Sequence, residues 1–213
     1  MSTRIIMIRH GYSVSNNLKV FTGQSDIELT EKGREQARLC GEFFKGYEGI
    51  EAIYSSDLSR AYDTALEVGR ALSLEVKKDD ALREIFAGEW EMMPFVEIEE
   101  KYPAEYAVWK SDIGRANPTG GESVFSMATR VEAEVRRIAS MHDGGCVVIV
   151  THATPIRAIC TLAEGLSLSE MGRVSWVSNA SISVFEFDGK FKTEEKNITS
   201  HLGDLKTDLP RGV

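Results

Sequence analysis

Apolar residues recur along this chain in two rhythms. Unbroken runs, Ile5-Ile6-Met7-Ile8 and Cys146 to Val150, read as strands covered on both faces. Elsewhere apolar positions return every three or four residues. Ala37, Cys40 and Phe44, flanked by Phe43, form one such stripe, and Ala61, Ala65, Val68 and Leu72 a second. Val124, Ala128, Val131, Val135 and Ile138 form a third. These spacings predict helices with one face turned to a core. Ala52-Ile53-Tyr54 predicts a second strand, Leu74 to Val76 a brief third, and Ser181 to Phe187 a late one. Asp188-Gly189 is a hairpin signal that implies a partner strand.

Polar punctuation refines this outline. Thr30, Ser55-Ser56-Asp57 and Thr154-Pro155 read as helix starts, the last with Thr as cap and Pro in the first turn. Tyr12 to Ile27 reads as an extended loop, as does Leu82 to Gly88. Pro94 to Asp112 predicts one or two amphipathic helices broken at Pro103. They carry Tyr102, Tyr106 and Trp109 and suggest a lid-like insertion around 94–117, closed by a turn at Asn117 to Gly121. The end, Asp204 to Val213, is polar and is expected to be mobile. Strands alternate with helices for most of the length, with no linker or repeat. The expectation is a single domain over 1–213. Its class is α/β: a three-layer α/β/α sandwich with a mainly parallel sheet and a terminal hairpin.

Composition narrows the function classes. The net charge of −8 lacks the basic stripe that nucleic-acid binding needs. No apolar run reaches membrane-spanning length, so neither nucleic acid nor membrane is an expected partner. Met1-Ser2-Thr3-Arg4 leads straight into a strand without signal-peptide architecture. Cys40, Cys146 and Cys160 are odd in number and widely spaced, which suggests buried thiols in a reducing, cytoplasmic setting.

The candidate chemistry sits where strands end. Arg9-His10-Gly11 follows the first strand and Thr151-His152 the strongest one. Arg60 opens the helix after the second strand. Glu84 lies on a loop ahead of Gly88-Glu89-Trp90-Glu91, and Gly120-Gly121-Glu122-Ser123 is a further candidate. In open α/β sheets ligands bind at the carboxyl ends of strands. Two imidazoles and two guanidiniums gathered there suit phosphoryl transfer, which is mostly positioning and charge stabilisation. Arg9 and Arg60 would present forked donors to a phosphate, and a neutral His10 would attack phosphorus. His152 and the helix N-terminus near Thr154 would donate to its oxygens. Glu84 is the preferred proton donor, with Glu89, Glu91 and Glu122 as competitors. His142 reads as an exposed loop histidine and His201 as structural.

These segments, with Asn16, Thr22-Gly23-Gln24, Leu29 to Gly33, Leu82-Arg83-Glu84 and Ile156-Arg157, resemble the histidine phosphatase superfamily in its phosphoglycerate-mutase-like branch. The resemblance runs from Arg4 to about Leu202. It implies His10 as the phosphorylated nucleophile, and Arg9, Arg60 and His152 as the rest of the phosphate pocket. It implies Glu84 as proton donor and Asn16, Thr22 and Gly23 as further phosphate ligands. It also implies that no metal or organic cofactor is needed. Three positions depart from the family pattern. Tyr12 follows the triplet where an acidic residue or Gln is usual, Ala153 follows His152 where Gly is usual, and Met92 stands where Gly is common. Ala153 still offers a backbone N–H.

Between Glu84 and the Gly-Gly-Glu-Ser turn the only bases are Lys101, Lys110 and Arg115. The short, weakly basic segment resembles the phosphatases of the family more than its mutases. The expectation is a phosphomonoesterase acting through a phosphohistidine on a small phosphorylated metabolite. The alternatives are a phosphoglycerate mutase and a non-catalytic phosphate-binding module. A homodimer is compatible with the sequence but not specified by it.

Overall fold

The computed structural model describes residues 1–208. Six strands form one sheet: β1 (Thr3–Arg9), β2 (Ile50–Ser55), β3 (Val76–Lys78), β4 (Cys146–Thr151), β5 (Ile182–Phe187) and β6 (Phe191–Ile198). Their order is β3-β2-β4-β1-β5-β6. The first four run parallel, and β5 and β6 join antiparallel as the hairpin at the edge. Among the described residues seven α-helices complete the layers: α1 (Val14–Leu18), α2 (Glu31–Phe43), α3 (Ser59–Leu72), α4 (Phe95–Lys101), α5 (Pro103–Ser111), α6 (Val124–Met141) and α7 (Ala153–Ala163).

The unbroken apolar runs are explained by alternation between two cores. Ile5 and Met7 of β1, with Val147 and Ile149 of β4, join the cluster under α5, α6 and α7. Ile6 and Ile8, with Val148 and Val150, join the cluster under α2 and α3. Both faces are dry, so a polar residue has no place on either. Each fully buried aliphatic side chain here contributes about 1.5–3 kcal/mol relative to exposure. The helical stripes land as expected: Ala37, Cys40 and Phe44, then Ala61, Ala65 and Val68, then all five positions of α6 are buried. Pro103 separates α4 from α5, and Ile98, Tyr106 and Trp109 pack into the larger core.

Several boundaries differ from expectation for identifiable reasons. The loop Tyr12 to Ile27 contains α1, a single turn held by a capping box between Ser13 and Asn16. Ser55-Ser56-Asp57 does not cap α3. The N-cap is Leu58, and the N–H of Ser59 donates instead to Asp26 Oδ1 at 2.7 Å. β3 starts at Val76 rather than Leu74, whose N–H still closes the end of α3 on Gly69. α7 starts at Ala153 with His152 at the N-cap, so Thr154 and Pro155 lie inside its first turn. The Leu82 to Gly88 stretch is bounded by two 3₁₀ turns, Asp80–Leu82 and Gly88–Trp90. Cys146 is only half-buried, unlike Cys40 and Cys160, and all three thiols are free.

His142 is not an exposed loop residue. Its Nδ1 meets Glu51 at 2.8 Å and its Nε2 meets the Tyr54 hydroxyl at 3.1 Å. His201 holds the Ala180 carbonyl at 3.0 Å, a structural role. The expected mobility of the end is replaced, as far as Asp208, by a 3₁₀ segment (Ser200–Leu205) and a buried Thr207 hydrogen-bonded to Asn179. Residues 209–213 lie outside the described residues. Among the described residues no helix is long and apolar enough to cross a membrane.

Candidate active site

The carboxyl ends of β1 and β4 are adjacent in register, Arg9 beside Thr151. Each strand delivers a histidine one residue further on. The His10 N–H donates to the Thr151 carbonyl at 3.0 Å, and the His10 carbonyl accepts from the Ala180 N–H at 3.1 Å. The His10 peptide is thus pinned from both sides. Gly11 follows because its α-carbon lies against the Gly33 carbonyl, where a β-carbon would overlap it. The glycine is therefore required by packing of the protein on itself, not by approach of a ligand.

The two imidazoles meet edge to face, with ring centroids 5.2 Å apart. His10 Nδ1 lies 2.7 Å from the Gly11 carbonyl. A carbonyl only accepts, so Nδ1 carries the proton and Nε2 keeps its lone pair. His152 Nε2 lies 2.8 Å from the Ser56 hydroxyl, and its buried Nδ1 has no partner among the described residues. Burial holds the pKa of both rings well below the usual 6.5, and the cations Arg60 and Arg9 push in the same direction. Both are neutral near pH 7.

Arg9 and Arg60 are buried beside them. Arg9 Nη1 donates to the Val177 carbonyl at 2.6 Å. Arg60 donates from Nη1 to the Ser25 carbonyl at 2.9 Å and from Nη2 to the Gly23 carbonyl at 2.8 Å. The Nε atoms of both arginines are buried without a partner. Burial lowers both guanidinium pKa values to about 10, against the opposing pull of Glu84. Among the described residues, no carboxylate hydrogen-bonds either guanidinium or either of these two rings. Glu84 acts on both only through space, and buried charges without a hydrogen-bonded partner of opposite sign are costly. The arrangement is therefore one that an anion would stabilise.

Glu84 faces this group from the third side. Oε1 accepts from the Ile85 N–H at 2.9 Å, and Oε2 accepts from the Thr154 N–H of α7 at 3.3 Å. Burial raises its pKa above 4.5, with those N–H donors and Arg60 pulling the other way. A raised carboxyl pKa favours the protonated form that can act as an acid.

These groups open onto a cleft of about 950 Å³. Of the residues read from the sequence, Arg9, His10, Asn16, Thr22, Gly23, Arg60, Glu84 and Ala153 line it, and His152 lies behind His10. Asn16 Oδ1 accepts from Asn179, and the Thr22 hydroxyl donates to Ser15 at 2.6 Å. Ala153 has no left-handed backbone, so the usual glycine is dispensable there. Tyr12 sits at the mouth with Lys32 over its ring. Met92 does adopt φ +61°, which accounts for glycine being common at its position.

The competitors of Glu84 are engaged elsewhere. Glu91 holds the Gln24 N–H and the Ser25 hydroxyl, both at 2.7 Å. Glu89 accepts from the Tyr102 hydroxyl, and Glu122 pairs with Arg130. The Gly120 to Ser123 stretch, expected among the converging features, does not line the cleft. Arg157 is committed to the Val174 and Gly172 carbonyls and to the face of Trp176.

Other lining residues escaped sequence reasoning. Asn179 donates to the carbonyls of His10 and Gly11 at 3.3 and 3.4 Å. No motif surrounds it, although it lies two residues before a predicted strand. Lys19, Lys32 and Lys206 also line the cleft, so a chain of net charge −8 presents a largely cationic mouth.

Known proteins resemble this chain closely. The family model for the histidine phosphatase superfamily (branch 1) matches residues 5–198. Phosphoserine phosphatase 1 of Hydrogenobacter thermophilus is 34% identical over 211 residues, covering 99% of both chains. Glucosyl-3-phosphoglycerate phosphatase of Mycobacterium tuberculosis is 34% identical over 187 residues, covering 81% of this chain and 83% of that protein. Among solved structures, YhfR of Bacillus stearothermophilus superimposes with a TM-score of 0.88 at 28% identity, over 94% of this chain and 99% of that one.

Proposed function

The chain belongs to the histidine phosphatase superfamily and is an enzyme of that family, and from this premise we propose how it works as a phosphomonoesterase on small phosphorylated metabolites. The observation that carries the reading is the pair of buried guanidiniums that no carboxylate hydrogen-bonds, set beside two neutral imidazoles. A phosphate dianion compensates both charges and uses the free donors around them.

In this reading His10 Nε2 attacks phosphorus in line. A P–N bond forms as the P–O bond to the leaving alcohol breaks, and protonated Glu84 gives its proton to the departing oxygen. Arg9, Arg60 and His152, with Asn16, Thr22, Gly23 and the Ala153 N–H, hold the equatorial oxygens. Water then attacks the phosphohistidine. Glu84 takes its proton, the P–N bond breaks, and inorganic phosphate leaves. Side chains and backbone dipoles handle all the charge, so the reaction needs no metal or cofactor.

The relatives named for phosphoserine and glucosyl-3-phosphoglycerate suggest esters that carry a carboxylate besides the phosphate. The lysines at the mouth favour such substrates. The test is a panel of phosphorylated metabolites assayed with a chelator present, together with acid quench of enzyme and labelled substrate. The expected result is phosphate release with acid-labile label on His10. Conversion of 3-phosphoglycerate to 2-phosphoglycerate faster than phosphate release would favour a mutase. No label and no turnover across the panel would favour a binding module.

A further inference from the structure

The Gly120 to Ser123 turn lies outside the cleft, yet it and one arginine grip the segment that carries Glu84. That segment has little regular structure of its own beyond the turn Asp80–Leu82. Arg130, on α6, reaches it with both terminal nitrogens. Nη1 donates to the Ala81 carbonyl at 2.8 Å and to the Arg83 carbonyl at 3.1 Å. Nη2 donates to the Glu84 carbonyl at 3.3 Å and to Glu122 Oε1 at 2.6 Å. The same Glu122 oxygen accepts the Phe86 N–H at 2.9 Å, and the Glu122 N–H donates to the Phe86 carbonyl at 2.8 Å. Gly121 packs so tightly on the Phe86 carbonyl and the Ala87 backbone that a β-carbon would overlap them. Backbone on one side of Glu84 is thereby fixed to α6, and on the other to the turn that leads into it.

The geometry points to Arg130 as the positioning residue of the proton donor, with Glu122 as its anchor. The inference rests on Glu84 acting as general acid. Arg130 does not line the cleft and touches no reacting group. Its planar fork meets three carbonyls and a carboxylate at once, which the single ammonium of a lysine does not reproduce. A proton donor must lie within hydrogen-bond reach of the leaving oxygen, and a shift of about 1 Å costs on the order of 10²-fold.

The test compares kcat/KM, which reports P–O cleavage, for an ester with an acidic leaving group (4-nitrophenyl phosphate) and one with a poor leaving group (phosphoserine). Arg130→Gln should slow the poor ester about 30-fold and the acidic ester less than about three-fold, part of the 10²–10⁴ a general acid supplies. Arg130→Lys should not restore the difference. In a Glu84→Gln background Arg130→Gln should add less than about two-fold, because the two act on one proton transfer. Equal slowing of both esters, rescue by lysine, or full additivity with Glu84→Gln would reduce Arg130 to a strut and overturn the inference. If Glu84→Gln itself slows both esters alike, the general-acid reading fails first. If Arg130→Gln does not fold, Glu122→Gln removes the anchor's charge while keeping its shape. It should show the same selective slowing, and equal slowing would again overturn the inference.

Discussion

Two histidine clusters in this molecule make opposite use of the same residue. Near the amino end of β4, both ring nitrogens of His142 are satisfied, one by Glu51 and one by the Tyr54 hydroxyl. At the carboxyl ends of β1 and β4, His10 and His152 pack on each other beside two arginines, and three buried side-chain nitrogens there stay unpaired. Buried polar groups are normally satisfied, so the exceptions carry information. The satisfied cluster ties β2 to the carboxyl end of α6. The unsatisfied one gathers two guanidiniums and two neutral rings at one sheet edge, an arrangement that an anion would stabilise.

The contrast breaks most sharply by substitution. His10→Ala should lower turnover of 4-nitrophenyl phosphate by on the order of 10⁴-fold or more, the scale of losing a nucleophile. His142→Ala should leave turnover within about two-fold but cost about 1–2 kcal/mol of stability for its two hydrogen bonds. Activity assays and urea unfolding of both variants check this. Comparable losses of turnover would erase the distinction.

Acid unfolding sharpens the comparison from the side of the buried pair. Both rings fold neutral, with pKa values below 6.5, while the unfolded chain takes up a proton on each as the pH falls through 6.5. Stability is therefore full above pH 6.5 and declines as the pH drops toward the depressed folded values. The slope is at most about 1.4 kcal/mol per pH unit for each ring. Urea midpoints between pH 5 and 8 should show that slope, flattened in a His10→Asn, His152→Asn double variant. Glu84 contributes alike to both proteins. An unchanged slope would mean that the rings are charged in the fold.

The smallest effect concerns the backbone at Met92, which does not line the cleft. Met92 holds φ +61°. Glycine there relieves a left-handed cost of roughly 1–2 kcal/mol but adds about 0.5–1 kcal/mol of unfolded-state entropy. Met92→Gly should raise the melting temperature by about 1–3 °C with turnover unchanged. A lower melting temperature would mean that the side chain packs more than its exposure suggests.

What the sequence revealed followed the range of the forces involved. Apolar runs and three-residue spacings report burial directly, so β1, β4, α2 and α6 were legible. The Thr30 cap was legible because its partner, the Gly33 N–H, is three residues away. Ser55-Ser56-Asp57 was misread because those side chains act at long range: Ser56 on His152 and Asp57 on Arg83. The carboxylate that meets the Ser59 N–H comes from Asp26, on another loop. α1 is one turn, too short to show a period. Arg9, His10, Arg60 and His152 stood out because each follows a strand. Asn179, Lys206 and Arg130 act through tertiary neighbours, and no local pattern marks them.

One feature of the topology bears on biosynthesis. β1 leaves the ribosome well before both strands that flank it, β4 and β5. Until they arrive, an apolar ribbon with two open edges is exposed to other nascent chains. The same delay withholds His152, which packs on His10 and follows β4. The seating of His10 and the closing of one edge of β1 both wait on β4.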